Sequence, residues 1–368
     1  MPGAQSFTEG SLAIDSDTID VALGERYYKD SKELEEKYID EIIEIGRRNV
    51  DEGLKDNGMA RRDAHTFDSG CVRAFFRVNA NLDPSLQHGV FLPGRQYPAW
   101  IRFSNGNTVA RSRWFPDARG MAIKLMGVEG AKLVDDEKNT QDFVLISYPV
   151  FFVDDLERYK ALFGTFLRGG ILDQLLLAPF KLRGREIWLA YAANLLWLIN
   201  PLFHQYWSMT PYRLGVGPAD RLAVKYTAKP RAVPRRTFLE RLALYLQWQF
   251  SLKREMSRTL EGGERGFDFY VQRYVDERTP IEDSKVEWAE EVSKPEHVAS
   301  IIIPPQDLMS AERDKFCEDL SFNPWHSLPE HKPLGLVNRV RKRVYVAISD
   351  YRHTLNGRPK AEPLAESP

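Results

Sequence analysis

Asn338-Arg-Val-Arg-Lys-Arg-Val-Tyr345-Val-Ala-Ile-Ser-Asp-Tyr-Arg352-His-Thr-Leu-Asn356-Gly357 is the stretch on which the reading of this chain turns. In an α-helix, Arg341, Tyr345, Ile348 and Arg352 follow one another at spacings of 4, 3 and 4 residues, so they share a face. The pattern predicts a helix over Val337–Leu355, ended by Asn356-Gly357 and then Pro359. A tyrosine set between two arginines is an unusual thing to point inward, because a buried guanidinium has to be paired. That face therefore calls for an anionic partner.

A phenolate bound to ferric haem, with the haem propionates beside it, satisfies every member of the set. Ionising a free phenol at pH 7 costs roughly 4 kcal/mol, since its pKa is about 10. A cation one helical turn away lowers such a pKa by about 1–3 units, and ligation to iron supplies the remainder. Tyrosinate is one of the few axial ligands that haem proteins use.

Working outward, Ser31–Asn57 reads as a charged amphipathic helix with Leu34, Tyr38, Ile42, Ile45 and Val50 as its apolar stripe. Residues 1–30 read as an extended arm. Cys71–Ala80 alternates through Val72, Ala74, Phe76 and Val78, with Arg73 and Arg77 opposite. Trp100–Ser104, Arg119–Gly127 and Asp142–Tyr148 continue the alternation, and it returns at Ala223–Thr227, Phe267–Tyr274 and Val298–Ile303. Strands divided by Pro, Gly and Asn turns predict an α+β fold: an antiparallel β-barrel core with surrounding helices, including one at Ser310–Asp319. The domain reading is 1–57 for arm and first helix, and 58–368 for the barrel domain.

The 368 residues carry a formal net charge of −1, which argues against a nucleic-acid partner. Hydrophobic residues at 43% are ample for a large core. Cys71 and Cys317, far apart in sequence, read as reduced core residues. Without a basic, apolar leader at the N-terminus, the expectation is a cytoplasmic protein. The exception to soluble patterning is an apolar helical insertion at about 165–207. Its second run, Ile187–Phe203, is 17 residues long and interrupted by Asn194, Asn200 and Pro201. That is short of the roughly 20 apolar residues a span requires. Residues 169–207 therefore read either as a peripheral membrane contact or as a buried excursion or dimer contact. His326 and His331, in a Pro-bounded loop, read as structural rather than as a metal pair.

Four further motifs precede the C-terminal helix. They are Arg61-Arg62-Asp63-Ala64-His65, Trp100-Ile-Arg102-Phe-Ser104-Asn-Gly, Asp117-Ala-Arg119-Gly120-Met-Ala122-Ile-Lys124 and Tyr148-Pro149-Val150-Phe151-Phe152-Val153-Asp154. In this order, and together with Arg341–Tyr345–Arg352, they resemble the haem catalase family. Its motifs have the forms Arg-x-x-His, Arg-Phe-Ser, Asp-x-Arg-Gly-x-Ala-x-Lys, Pro-Val-Phe-Phe and Arg-x-x-x-Tyr. The shortness of the chain makes it more similar to the compact catalase-related proteins, a group that includes organic peroxidases and the allene oxide synthases that rearrange fatty-acid hydroperoxides.

The resemblance implies haem b with Tyr345 as the iron ligand and Arg341 keeping it ionised. His65 matches the distal histidine that moves a proton between the two oxygens of a peroxide. Ser104 matches the serine that orients it. Arg62, Arg102 and Arg352 match the arginines that hold the propionates, and Tyr159 the aromatic ring over the porphyrin. The family's distal asparagine falls on Ile146 or Ser147, of which Ser147 alone can hydrogen-bond. Ala64 stands where larger aliphatic residues narrow the route to iron. These implications add up to a haem peroxidase or catalase-like enzyme cleaving the O–O bond of hydrogen peroxide or organic hydroperoxides. The alternatives are a fatty-acid hydroperoxide isomerase and a non-catalytic haem- or lipid-binding protein at a membrane. Association into homo-oligomers through the N-terminal arm is a further expectation from the family.

Overall fold

The computed structural model describes residues 17–63, 65–106, 118–166, 200–234, 237, 239–240 and 251–364. Among them are nine strands: β1 (Asp68–Val78), β2 (Gln96–Asn105), β3 (Arg119–Met126), β4 (Thr140–Ile146), β5 (Tyr206–Trp207), β6 (Tyr212–Leu214), β7 (Leu222–Pro230), β8 (Arg265–Arg273) and β9 (Glu296–Ile303). The helices are α1 (Lys32–Asn57), α2 (Leu156–Phe166), α3 (Leu252–Glu261), α4 (Ala311–Asp319) and α5 (Leu336–Leu355). Every strand pairing is antiparallel, in the order β5-β4-β3-β2-β1-β9-β8-β7. Pairing of β5 with β7 closes eight strands into a barrel, and β6 extends from β7 outside that ring.

The alternation in β1 does what its pattern predicts. Val72, Ala74, Phe76 and Val78 enter the barrel core while Arg73, Phe75 and Arg77 stay outside. Phe76, Phe91, Phe143, Tyr226 and Phe269 fill the interior as a contiguous aromatic cluster. His331 joins them as a neutral ring, because burial drives its pKa down to about 3. Its Nε2 accepts from the Val90 N–H (3.0 Å), so Nδ1 carries the proton and donates to the Tyr226 hydroxyl at 3.0 Å.

A second apolar cluster joins α1, α2 and α5 through Ile39, Ile42, Ile43, Phe163, Val340, Val344 and Ile348. Leu34, Tyr38 and Ile45 of the expected α1 stripe lie half-buried against it. The two long helices approach closely at Gly46, where an added Cβ would stand 2.7 Å from Ile348 Cδ1. Arg339 of α5 ties this layer down by gripping Glu25 (3.0 Å), Glu35 (2.7 Å) and Glu282 (3.0 Å). Residues 17–30 are thus anchored on their own chain.

Most of the expected apolar insertion, residues 167–199, lies outside the described residues, as does Ala64. Of its C-terminal end, residues 200–207 are described. Leu202 and Tyr206 are barrel core, not lipid-facing surface, because β5 is the seam that closes the sheet. Among the described residues no helix is long and apolar enough to cross a membrane. Cys71 and Cys317 are free and buried, and they meet in one small cluster beneath α4.

A buried ionic network fastens β3 and β4 to the loop before α5. Lys124 Nζ contacts Glu137 and Asp142, and His326 bridges Asp142 (2.8 Å) and Asp136 (3.0 Å). The histidines do not form a metal pair, since His326 and His331 serve different networks. Burial and Lys124 disfavour the His326 imidazolium, but Asp136 and Asp142 outweigh them and push it up to about 9. Its stabilisation is complete below the unfolded value of about 6.5 and is lost as pH rises through the folded value. In urea unfolding, His326→Gln is therefore expected to cost about 3–5 kcal/mol at pH 6, the usual cost of breaking a buried ion pair. That difference should shrink by pH 9.5; one that stays constant with pH would refute the charged assignment.

Candidate functional site

The quoted C-terminal segment forms α5. One stripe of that helix, Val340, Val344 and Ile348, packs on α1. The adjoining face carries Arg341, Tyr345 and Arg352 toward a cleft against the outer face of the barrel, with Tyr345, Ile348 and Arg352 among its lining residues. The Arg341 Nε donates to the Tyr345 hydroxyl at 3.2 Å, and Nη1 donates to Asn338 Oδ1 at 3.2 Å. Asn338 is itself held by Thr210 Oγ1 (3.1 Å) and by the Pro211 and Leu334 carbonyls. Burial works against the Arg341 charge, yet the hydroxyls of Tyr345 and Tyr212 hold its pKa above the ordinary value.

The opposite wall comes from the barrel and the segment leading into it. Alternation in β2 turns Ile101 and Phe103 into the core and leaves Arg102 and Ser104 to the cleft. His65, just before β1, has a φ of +51°, a left-handed conformation that non-glycine residues adopt at a cost. Arg102 Nη2 donates to the His65 carbonyl at 2.9 Å, pinning that turn. The His65 Nδ1 lies 3.2 Å from Ser104 Oγ. Burial, then Arg102 and Arg341, hold the imidazole down to about 4, so the ring is neutral at pH 7. The pairing of Ser104 with Gly120 across β2 and β3 makes room for the ring. A Cβ at Gly120 would stand 2.5 Å from Ser104 Oγ and 2.9 Å from His65 Nδ1.

At one end of the cleft Arg62 and Arg352 converge on the buried carboxylate of Glu318, with Oε1 at 3.4 and 3.5 Å. Arg61 reaches the same group at 3.6 Å, and Arg102 adds its field. These guanidiniums hold the Glu318 carboxyl below its usual range against the upward pull of burial. Burial and repulsion from Arg102 and Arg352 lower the Arg62 pKa to about 9. Arg61, Arg62, Arg102 and Arg352 outnumber the carboxylates near them, Glu318, Asp63 and Asp319, and the remaining positive charge makes a ready site for an anionic ligand. The cleft holds about 740 Å³ of space, part of it open to solvent.

His65, Ser104, Arg62, Arg102, Tyr345 and Arg352 thus line one cleft, with Arg341 directly behind Tyr345. Ser147 does not join them. Its hydroxyl accepts from the Arg119 N–H (2.8 Å) and its own N–H donates to the Arg119 carbonyl (2.8 Å), so it locks the ends of β3 and β4. Val144 lines the cleft from β4, and the alternation puts Ile146 on the same face, so this strand offers no amide or hydroxyl there. Tyr159 packs between Phe151 (5.7 Å) and Phe163 (5.4 Å) in the helical cluster that includes Tyr345, not on the cleft lining. Glu318 and Asn338 are the residues that sequence reasoning missed. Asn338 was within reach, three residues before Arg341 on the same helix. A glutamate at the end of a short charged helix carries no such signal.

Among the solved structures that share this architecture are three catalases. A fungal catalase aligns with 82% of this chain and 60% of its own at a TM-score of 0.60 and 15% identity. The fold is that of the catalases. Catalase A from Saccharomyces cerevisiae aligns with 82% of this chain and 62% of its own (TM-score 0.57, 16% identity), and a bacterial catalase with 84% and 62% (0.60, 16%). This chain therefore spans about three-fifths of the length of the catalases it matches. No family model matches the sequence, and no curated protein does.

Within this catalase fold, Gly120→Ala tests whether the close approach matters. The variant should lose about 1–3 kcal/mol of stability through overpacking. It should also drive the His65 ring outward, so that its NMR titration moves up toward the ordinary histidine value. An unchanged titration would show that the glycine is dispensable.

Proposed function

We propose that the chain is a haem-dependent enzyme that cleaves the O–O bond of peroxides, with organic hydroperoxides preferred over hydrogen peroxide. The observation that carries this reading is a neutral His65 bonded to Ser104 in the same cleft as a tyrosine backed by a buried arginine. The residues fit haem b. The surplus positive charge around Glu318 suits two propionates, and Tyr345 is an oxygen donor already polarised by Arg341. When bound, haem iron supplies the centre at which the peroxide bond breaks.

In this reading Tyr345 is the iron ligand, and Arg62, Arg102 and Arg352 hold the propionates by charge-assisted hydrogen bonds. Arg341, donating to the Tyr345 hydroxyl oxygen at 3.2 Å, fixes that oxygen in place. His65 takes the proton from the hydroperoxide O–H and returns it to the departing oxygen, and its neutral state at pH 7 suits the first of these tasks. Ser104 fixes the orientation of the ring. The aliphatic Val144 and Ile146 leave the second oxygen without an amide donor, and losing such a donor commonly costs about 2.7–4 kcal/mol. Hydrogen peroxide, which has no alkyl group to gain from apolar contact, suffers most. A fatty-acid hydroperoxide isomerase would use the same residues and differ in its product. The same apolar wall favours that second reading over efficient disproportionation of hydrogen peroxide.

The haem-loaded protein is expected to show a ferric tyrosinate absorption spectrum and to turn over cumene hydroperoxide. His65→Ala should keep that spectrum and lose about 10²–10⁴-fold in turnover. Tyr345→Phe should lose the spectrum or the haem. The rate should be flat between pH 6 and 8, with its acid limb well below the ordinary histidine value of about 6.5. Full turnover in His65→Ala, or an unaltered spectrum in Tyr345→Phe, would overturn the reading. Haem binding without turnover in the unmutated protein would leave a non-catalytic haem binder.

A further inference from the structure

On the far side of the sheet from the aromatic core, β7 buries a second basic side chain. Val224, Tyr226 and Ala228 enter the barrel, so Lys225 faces outward, but it is covered by the connection between β8 and β9 and is only 4% exposed. Its ammonium has three hydrogens to donate. It meets the Val286 carbonyl at 3.3 Å and the face of Trp288 at 5.0 Å from the ring centre. Among the described residues no carboxylate forms an ion pair with it, although Asp283 and Glu287 lie near enough to be felt. Lysine is almost never buried unless paired, so this one is out of place as a structural residue.

Lys225 borders a recess of about 440 Å³, part of it open to solvent, whose walls include Trp207, Trp288, Met209 and Gln272. Gln272 is immobilised by donating to the Trp288 (2.9 Å) and Ser293 (2.8 Å) carbonyls, so that wall is rigid. Glu287 lies on the same recess. We propose that Lys225 is a reactive amine that condenses in this recess with a small aldehyde.

Burial favours the neutral amine over the ammonium and brings the group down to about 7, against the weaker opposing pull of Asp283 and Glu287. A desolvated lysine near neutrality is the usual nucleophile of imine-forming sites. The nitrogen lone pair forms a bond to the carbonyl carbon, and the nitrogen loses both of its protons as the carbonyl oxygen leaves as water. Of the two carboxylates on the recess, Glu290 is paired with Lys229, so the transfer of protons from nitrogen to oxygen is assigned to Glu287. Amine and aldehyde are the only reactants, water is the only by-product, and neither oxidant nor reductant is consumed. The inference is independent of any haem in the other cleft.

The test treats the full chain with propanal and cyanoborohydride, which traps the imine as a stable secondary amine, followed by peptide mapping. Lys225 is expected to be alkylated at pH 7 at least tenfold faster than the exposed lysines, with a rate–pH midpoint near 7. Lys225→Arg should abolish the fast site without lowering the melting temperature. Glu287→Gln should slow alkylation at Lys225 severalfold, and this holds as a test even if Lys225→Arg fails to fold. Alkylation spread evenly over surface lysines, a midpoint at the ordinary lysine value of about 10.4, or an unchanged rate in Glu287→Gln would overturn the proposal.

Discussion

A guanidinium sealed inside a protein has to find negative charge or equivalent dipoles, and Arg341 is where that requirement shapes this molecule. Among the described residues it is paired with no carboxylate. Its hydrogen-bond partners are the Tyr345 hydroxyl and the Asn338 amide oxygen, each at 3.2 Å. A cation so placed draws its stabilisation from the dipoles of a phenol hydroxyl and a side-chain amide. The α5 helix, the Asn338–Thr210 bond and the close approach of α1 at Gly46 all keep these groups in register.

The barrel answers the same demand from the other side. Strand register decides which side chains of β2, β3 and β4 leave the core, and it brings Ser104 beside Gly120, where the absence of a Cβ admits the His65 ring. The arginine cluster is then completed by a carboxylate from α4, a helix distant in sequence from β1 and β2. Glu318 offsets part, not all, of the repulsion among Arg61, Arg62, Arg102 and Arg352, where an anionic ligand would complete the balance. It leaves enough positive charge to attract one.

Much of this was legible in the sequence because the signals are periodic. The two-residue alternation through Val72, Ala74, Phe76 and Val78 marks β1, and the spacing of Arg341, Tyr345 and Arg352 marks the working face of α5. Ser31 closes its cap on the Leu34 N–H at 3.2 Å, as a helix start predicts. Legibility stopped where elements are too short to repeat. The two residues of β5 and the three of β6 show no alternation, yet β5 closes the barrel. It stopped also where one residue of register decides a role. Ser147 is adjacent to Ile146, but the end of a strand turned its hydroxyl to the Arg119 N–H instead of the cleft. Glu318 could not be assigned from sequence, since three of the four arginines around it, Arg61, Arg62 and Arg102, lie more than two hundred residues away.

The left-handed turn at His65 carries an evolutionary implication. Glycine or asparagine would occupy that backbone more comfortably, by about 1–2 kcal/mol for the former. Drift toward greater thermal robustness therefore pulls this position away from histidine. The imidazole endures there only while something selects for its chemistry. Descendants freed from that selection should be recognisable by relaxed loops at this point, long before the surrounding sheet shows any change.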